Sequence, residues 1–232
     1  MPNFISEDDI EQALVQRLVS PEVGYQTLNA YTEDRASLKD GSGRTDKRQV
    51  VLPDRLRAAL ERLNPDLPPE AIDQAFSALT QNRSAMSPVA ANREVYRLIR
   101  DGVPIRFNNA QGREERTQAK VIDYSDPCAN ERLVVTQLWV APSGQGRHWR
   151  RPDVLIYING LPLVFIELKN SNVKLRSAFD KNLTDYRRDI PQLFVFNAIL
   201  MLSNALETRV GSITGDFLRK SGHRLVSCTA LQ

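Results

Sequence analysis

The sequence predicts an α/β domain, a mixed β-sheet flanked by helices and preceded by a mainly helical N-terminal portion. Apolar residues recur at helical spacing as far as residue 102, and after Val103 they give way to short β-branched and aromatic runs. Two of these runs, residues 154–158 and 161–168, flank Asn159-Gly160, a strong short-range hairpin signal. Both parities of both runs are apolar, so both faces of the strands must be covered, as in a sheet lying between helix layers.

The helical portion reads in order. Ser6-Glu-Asp-Asp9 starts a helix with Ile10, Leu14 and Leu18 on one face and Glu11 bordering that stripe; residues 21–25 end it. Residues 32–49 are polar and read as a surface loop. Their Gly41-Ser-Gly-Arg-Thr-Asp-Lys47 has the look of a phosphate loop but lacks the Gly-Lys-Ser/Thr ending. Leucines spaced along 52–63 give a second helix that stops at Asn64-Pro65. Pro68-Pro69 starts a third, running to Thr80 with Ile72, Ala75, Phe76 and Leu79 inward, and Ser87-Pro88 a fourth that closes at Asp101-Gly102. Arg83, Arg93, Arg97 and Arg100 line this region, as a solvated face or as a track for phosphates.

Residues 105–107, 119–124 and 133–140 read as strands leading into the hairpin. Between the last of them and the hairpin lies 142–151, a flexible basic loop with Trp149 and Arg151, suited to phosphate contact and base stacking; His148 within it reads as a surface residue. After Lys169 a helix is expected over 175–188, placing Asn182 and Tyr186 on one face beside Arg187 and Arg188, with Tyr186, Asn182 and Arg187 as candidates to support a DNA phosphate. Strands at 198–202 and 207–213 follow.

At 232 residues, 41% of them hydrophobic, the chain suffices for one substantial core. We take 1–232 as a single domain cut from a longer chain: 1–102 mainly helical, 103–214 the α/β core, 215–232 the start of a linker. A net charge of +3 does not announce a polyanion partner, although 24 of the 31 basic residues are arginine, the better phosphate fork. No apolar run approaches a membrane span and no signal peptide opens the chain, which points to the cytoplasm and no membrane partner. Cys128, Cys228, His148 and His223 make no zinc pattern.

Chemistry concentrates at the hairpin ends. Burying an ionised side chain is costly unless it is paired or holds a metal, so Asp153, Glu167 and Lys169 need a reason. Residues opposite each other on antiparallel strands share a face; Asp153 therefore joins Glu167 and Lys169 only if paired residue numbers sum to an even value. A two-residue Asn-Gly turn pairs Ile158 with Leu161, an odd sum, and turns Asp153 away. The expectation is thus a three- or five-residue connection or a β-bulge, with Gly160 at positive φ. Given that, two carboxylates and an ammonium converge, a set suited to phosphodiester hydrolysis. Asp153, Glu167 and the Leu168 carbonyl would ligate Mg²⁺, with Mn²⁺ as a substitute, and Lys169 would orient the water or offset developing charge. Glu11 is a further candidate ligand, against the simpler reading as the rim of its helix. Glu167-Leu-Lys169 is the only acid-x-Lys triplet in the chain. The structural alternative is a surface ion pair at a strand end.

Pro152-Asp153 with Glu167-Leu-Lys169 resembles the motif of the PD-(D/E)xK nuclease superfamily. Residues 92–103, Val121-Ile-Asp-Tyr-Ser-Asp-Pro127, residues 130–140 and 191–211 sharpen the likeness: the chain is similar to the N-terminal nuclease domain of the type I restriction enzyme R subunit. That resemblance implies a restriction-endonuclease-like fold, duplex DNA as substrate, and action with methylation and specificity subunits that read the target. It also implies ATP-driven motor domains, and ATP only in the full-length subunit, for no Walker motif occurs here. Related nucleases carry Gln-x-x-x-Tyr on the helix after the lysine. Tyr186 matches it, while Asn182 stands where the family has glutamine, which shortens the amide's reach. Two alternatives stand beside this reading: a recombination or repair helicase-nuclease of the same fold, and a catalytically silent DNA-binding or subunit-docking module.

Overall fold

A computed structural model describes residues 5–109, 111–175 and 182–213. Its centre is a six-stranded mixed sheet in the order β1-β4-β5-β6-β7-β8, formed by β1 (Gln26–Asn29), β4 (Arg132–Thr136), β5 (Val154–Ile158), β6 (Leu161–Leu168), β7 (Ile199–Ser203) and β8 (Thr208–Gly211). A separate hairpin pairs β2 (Val103–Asn108) with β3 (Glu114–Ala119). The β1-β4 and β6-β7 pairs are parallel and the others antiparallel.

Both faces of the sheet are covered, as the two-parity apolar runs require. Leu133, Val135, Leu155, Tyr157 and Phe165 face the larger core. Against it pack α2 (Pro53–Leu63), α3 (Pro69–Thr80), α4 (Pro88–Asp101) and the short α5 (Thr184–Asp189) and α6 (Pro191–Phe194). Val134, Val154, Ile156, Ile166 and Leu168 face the other way, toward Ile10, Leu14 and Leu18 of α1 (Glu7–Val19). The α1 start is as expected, a capping box between Ser6 and Asp9 that satisfies two orphan N–H groups.

The hairpin solves the register problem with a bulge. Asn159 (φ 52°) and Gly160 (φ 77°) form a two-residue turn that pairs Ile158 with Leu161 and Tyr157 with Pro162. The register then shifts, so that Ile156 pairs with Val164 and Val154 with Ile166, and Leu163 is the extra residue. Paired numbers now have an even sum, and Asp153 and Glu167 fall on one face. The Leu163 carbonyl is used: it accepts from Ala198 N–H (2.8 Å) and Asn197 Nδ2 (3.3 Å), fixing the entry to β7. Asn159 is fully buried; its Nδ2 donates to the Val121 carbonyl and Asn130, and its Oδ1 accepts from Glu131 N–H and Arg62.

Several sequence expectations are corrected. β1, within the portion expected to be helical, joins the main sheet; its Gln-Thr-Leu-Asn carries too little apolar pattern to announce a strand. The strand expected at 119–124 ends at Ala119, where β3 is a polar, exposed strand held by its ladder to β2. β4 stops at Thr136 because Gln137 turns to φ 57°. Arg83 is buried, donating to the carbonyls of Ala78, Leu79 and Gln81 at the end of α3 and pairing with Glu94, so it tracks no phosphate. Residues 176–181 of the expected helix, and 214–232 with the linker, His223 and Cys228, lie outside the described residues.

Residues 32–49 form the expected, mostly exposed loop, but with a buried polar centre. Asp40, Ser42, Arg44 and Lys47 are buried. The Asp40 carboxylate accepts from Arg44 Nη2 (2.8 Å), Lys47 Nζ (2.7 Å) and the Ser42 hydroxyl and N–H. Arg44 reaches on to the carbonyls of Gln49 and Trp139, fastening this loop to the segment after β4. Polar composition misleads at these four positions alone, because their polar groups satisfy one another.

Two outcomes follow. A Cβ at Gly160 would lie 2.5 Å from Leu56 N and 2.7 Å from Leu52 O, whose residue donates its N–H to the Gly160 carbonyl. Gly160→Ala should lose more than about 2 kcal/mol in urea unfolding, from left-handed strain and overpacking together; a loss below about 0.5 kcal/mol would contradict this contact. Burial raises the Asp40 pKa, but hydrogen bonds from Lys47, Ser42 and Arg44 outweigh it and hold it well below the ordinary range. Its stabilisation is therefore present above the unfolded value of about 3.9 and fades as pH falls toward the depressed folded value. Asp40→Ala should cost about 3–5 kcal/mol at neutral pH, and the variant should lose less further stability than the parent on acidification.

Candidate active site

β5 and β6 deliver Asp153, Glu167 and Lys169 to one end of the sheet. Asp153 Oδ2 accepts the Leu168 N–H (2.8 Å), which locks the aspartate across the strand pair. Lys169 Nζ donates to Glu167 Oε1 (2.9 Å) and to the Leu168 carbonyl (2.6 Å). Asn182 Nδ2 also reaches Glu167 Oε1 (3.1 Å), so the shorter amide still makes the contact. Glu167 Oε2 is buried without a hydrogen-bond partner.

Electrostatics sets the protonation states. Burial, then the charge of Glu167, push the Asp153 carboxyl well above its ordinary range, against the Leu168 N–H bond and Lys169. Burial works against the Lys169 ammonium, but the charge and hydrogen bond of Glu167, with Asp153 and Glu7 behind, hold its pKa above the usual value. Lys169 is thus a fixed cation. Its nearest further acid is Glu7, at 3.8 Å, in the first turn of α1.

That contact replaces the one expected of Glu11. Glu11 accepts from Gln137 Nε2 (2.6 Å), and its charged neighbours are Asp8 and Arg151, so the structure does not bring it to the carboxylate pair. Glu7 lies one helical turn nearer the end of β6 and accepts from Asn170 N–H. The four-residue spacing of Glu7 and Glu11 puts both on one face and was the available signal.

The remaining candidates surround this group. Tyr186 is buried edge-on to Phe165 (5.1 Å between centroids), and its hydroxyl donates to the Arg151 carbonyl (3.2 Å). Burial first, and the charges of Glu167 and Asp153 next, raise its pKa, so it stays a phenol. The Arg151 guanidinium lies over both Tyr31 (5.3 Å) and Trp139 (5.0 Å), and among the described residues its N–H groups make no hydrogen bond. Arg35 lies over Trp149 (5.3 Å). The loop of 142–151 is anchored, contrary to its expected flexibility: Arg150 is paired with Asp185 and Asp189, and the Asp189 carbonyl and carboxylate accept from Ser143 and Arg147 N–H. Arg187 turns away from the carboxylates into a separate cleft.

The fit to a divalent cation rests on this donor set. A buried Glu167 with an orphaned oxygen beside a half-buried Asp153 makes a carboxylate pair that favours added positive charge. The ammonium already bridges Glu167 and the Leu168 carbonyl, the oxygens a cation would take. Among the described residues no third His, Cys, Asp or Glu completes a cluster. That suits Mg²⁺, which is bound through one or two carboxylates and keeps several waters.

Known proteins match nearly the whole chain. The family described as type I restriction enzyme R protein N terminus matches residues 4–219. The endonuclease subunit of type I restriction enzyme HindI from Haemophilus influenzae is 33% identical over 96% of this chain and 21% of its own length. A putative type I endonuclease subunit, MjaIXP, from Methanocaldococcus jannaschii is 30% identical over 90% of this chain and 20% of its own. The chain thus spans about a fifth of the length of these relatives.

The raised Asp153 pKa has a testable sign. Between the unfolded value of about 3.9 and the raised folded value, the native state holds a proton that the unfolded state has released, so stability falls as pH rises. In buffer with a chelator, the parent should lose more stability than Asp153→Asn between pH 5 and pH 8, by about 1 kcal/mol or more. Parallel urea-unfolding profiles for the two proteins would refute the paired-carboxylate electrostatics.

Proposed function

From the premise that this chain belongs to the family of type I restriction enzyme R protein N termini, we propose that it is the DNA-cleaving module of such a subunit, a metal-dependent endonuclease acting on duplex DNA. The carrying observation is the meeting of Asp153, Glu167 and Lys169 at the end of the hairpin, with Glu167 Oε2 left unpartnered beside a second carboxylate.

Asp153, Glu167 and the Leu168 carbonyl would hold Mg²⁺, or Mn²⁺ in its place. The bound ion would supply phosphate polarisation and a water of lowered pKa. The protein's own groups do the rest. Lys169, kept protonated by its acidic neighbours, offsets charge developing on the phosphate and orients the attacking water; it is too basic to accept the proton at neutral pH. Asn182 holds Glu167, and Tyr186 holds the backbone at Arg151, two residues before Asp153. The unbonded Arg151 guanidinium, positioned over two rings, presents a fork for a phosphate of the same strand, and the Arg35–Trp149 pair extends the contact by charge and stacking. These contacts read backbone, not sequence, so target choice would belong to specificity and methylation subunits, and ATP-driven translocation to polypeptide outside residues 1–232. No helix among the described residues is long and apolar enough to cross a membrane; action on DNA would place the activity in the cytoplasm.

The test uses plasmid nicking by the full restriction complex in Mg²⁺. Lys169→Ala should lower cleavage by about 10²-fold or more, the scale set by losing one preorganised transition-state contact, with ATP hydrolysis retained. Cleavage unchanged by that substitution would leave a DNA-binding or docking module instead.

A further inference from the structure

Apart from the carboxylate site, the molecule has a cleft of about 970 Å³ between the α3–α4 connection, the loop after β4 and the α5–α6 pair. Neither Asp153, Glu167, Lys169 nor Tyr186 lines it. Its walls include Phe76, Val195, Phe196 and Met86, the last 38% exposed.

Its charge is one-sided. Arg48, Arg83, Arg187 and Arg188 line it, and no Asp or Glu does. Three of these arginines have acids: Arg83 has Glu94, Arg188 has Asp185 and Asp189, and exposed Arg48 lies 3.8 Å from Asp46. Among the described residues Arg187 has none, and its Nε and Nη2 are buried with no hydrogen-bond partner. Nε–H and Nη2–H are the parallel pair of donors that meets both oxygens of a carboxylate or phosphate. Burial lowers the Arg187 pKa, but not enough to discharge a guanidinium. Arg187 is half-buried, but these two donors are closed off from water without a partner, and such orphans call for one.

We propose that this cleft docks an acidic polypeptide segment, a carboxylate side chain pairing with Arg187 and a neighbouring apolar side chain entering between Phe76, Met86 and Phe196. Charge complementarity selects an anion, and the apolar walls select peptide over DNA, whose phosphates are strongly hydrated and met on open basic faces rather than in an apolar recess. The relatives are about five times as long as this chain, and in a subunit of that length the polypeptide outside the matched residues could supply the segment. The inference does not rest on nuclease activity.

The experiment follows the Arg187 side-chain Nε–H in ¹⁵N-labelled protein by NMR, identified by its loss in Arg187→Gln. The probes are N-acetyl-Glu-Phe-amide, N-acetyl-Gln-Phe-amide and a short DNA duplex, each added to the parent, Arg187→Gln and Lys169→Ala. The Glu-Phe probe should shift the Arg187 resonance and the Ser143–Gln145 amides saturably. It should bind about ten-fold or more tightly than the Gln-Phe probe, the worth of one charge-assisted pair, and Arg187→Gln should remove that preference while Lys169→Ala keeps it. Duplex should leave the Arg187 resonance in place. Equal binding of the two dipeptides, no saturable shift from either, or a shift of Arg187 by duplex would overturn the proposal, the last by making Arg187 a DNA contact. Loss of nicking elsewhere leaves these outcomes untouched, so the two readings fail separately.

Discussion

One extra residue in a strand is the constraint on which the site depends. Side chains alternate across a sheet, so the tight Asn159-Gly160 turn by itself would send Asp153 to the α1 face and Glu167 to the other. The bulge at Leu163 restores a common face. It is held from both sides: the Leu163 carbonyl is bonded to Ala198 and Asn197, and Gly160 is packed against the start of α2. Strand register, turn chemistry and the placement of β7 are thus one coupled device whose product is a pair of carboxylates.

That pair is unfavourable in isolation, since like charges in a partly buried place oppose each other. The protein surrounds it with partial remedies. A backbone N–H steadies Asp153, Lys169 and Asn182 share one oxygen of Glu167, and a buried phenol closes the far side. The remedies stop short of neutrality. The proposed cation would relieve that strain, and the same logic read with opposite sign applies to Arg187 in the neighbouring cleft.

Other buried charges are satisfied by one another. Asp40 is satisfied by Arg44, Lys47 and Ser42, and Asp189 by Arg150, Arg188 and the loop of 142–151. These networks fasten the loops on which Tyr31, Trp139, Trp149 and Arg151 are mounted. Function here depends on a rigid surround, and much of the arginine that composition suggested for nucleic acid serves that end.

The hairpin, both covered faces, the α1 cap and the trio of Asp153, Glu167 and Lys169 were legible in the residues, because alternation, turn preference and cost of burial are local rules. Parity arithmetic even required the irregularity in β6. The same rules could not find β1 or β3, whose short polar strands are held by ladder hydrogen bonds, nor the burial of Asp40, Ser42, Arg44 and Lys47 within the otherwise exposed loop of 32–49, where polarity is cancelled by contacts across loops. They offered Glu11 as a candidate and did not find Glu7 beside Lys169, since a helix face is set by sequence but the point along its axis that meets β6 is set by packing. Sequence alone determined which groups had to be brought together; only the tertiary structure decided which of the many charges are spent on one another and which remain unpaired, because that balance depends on distances between segments that no local pattern encodes.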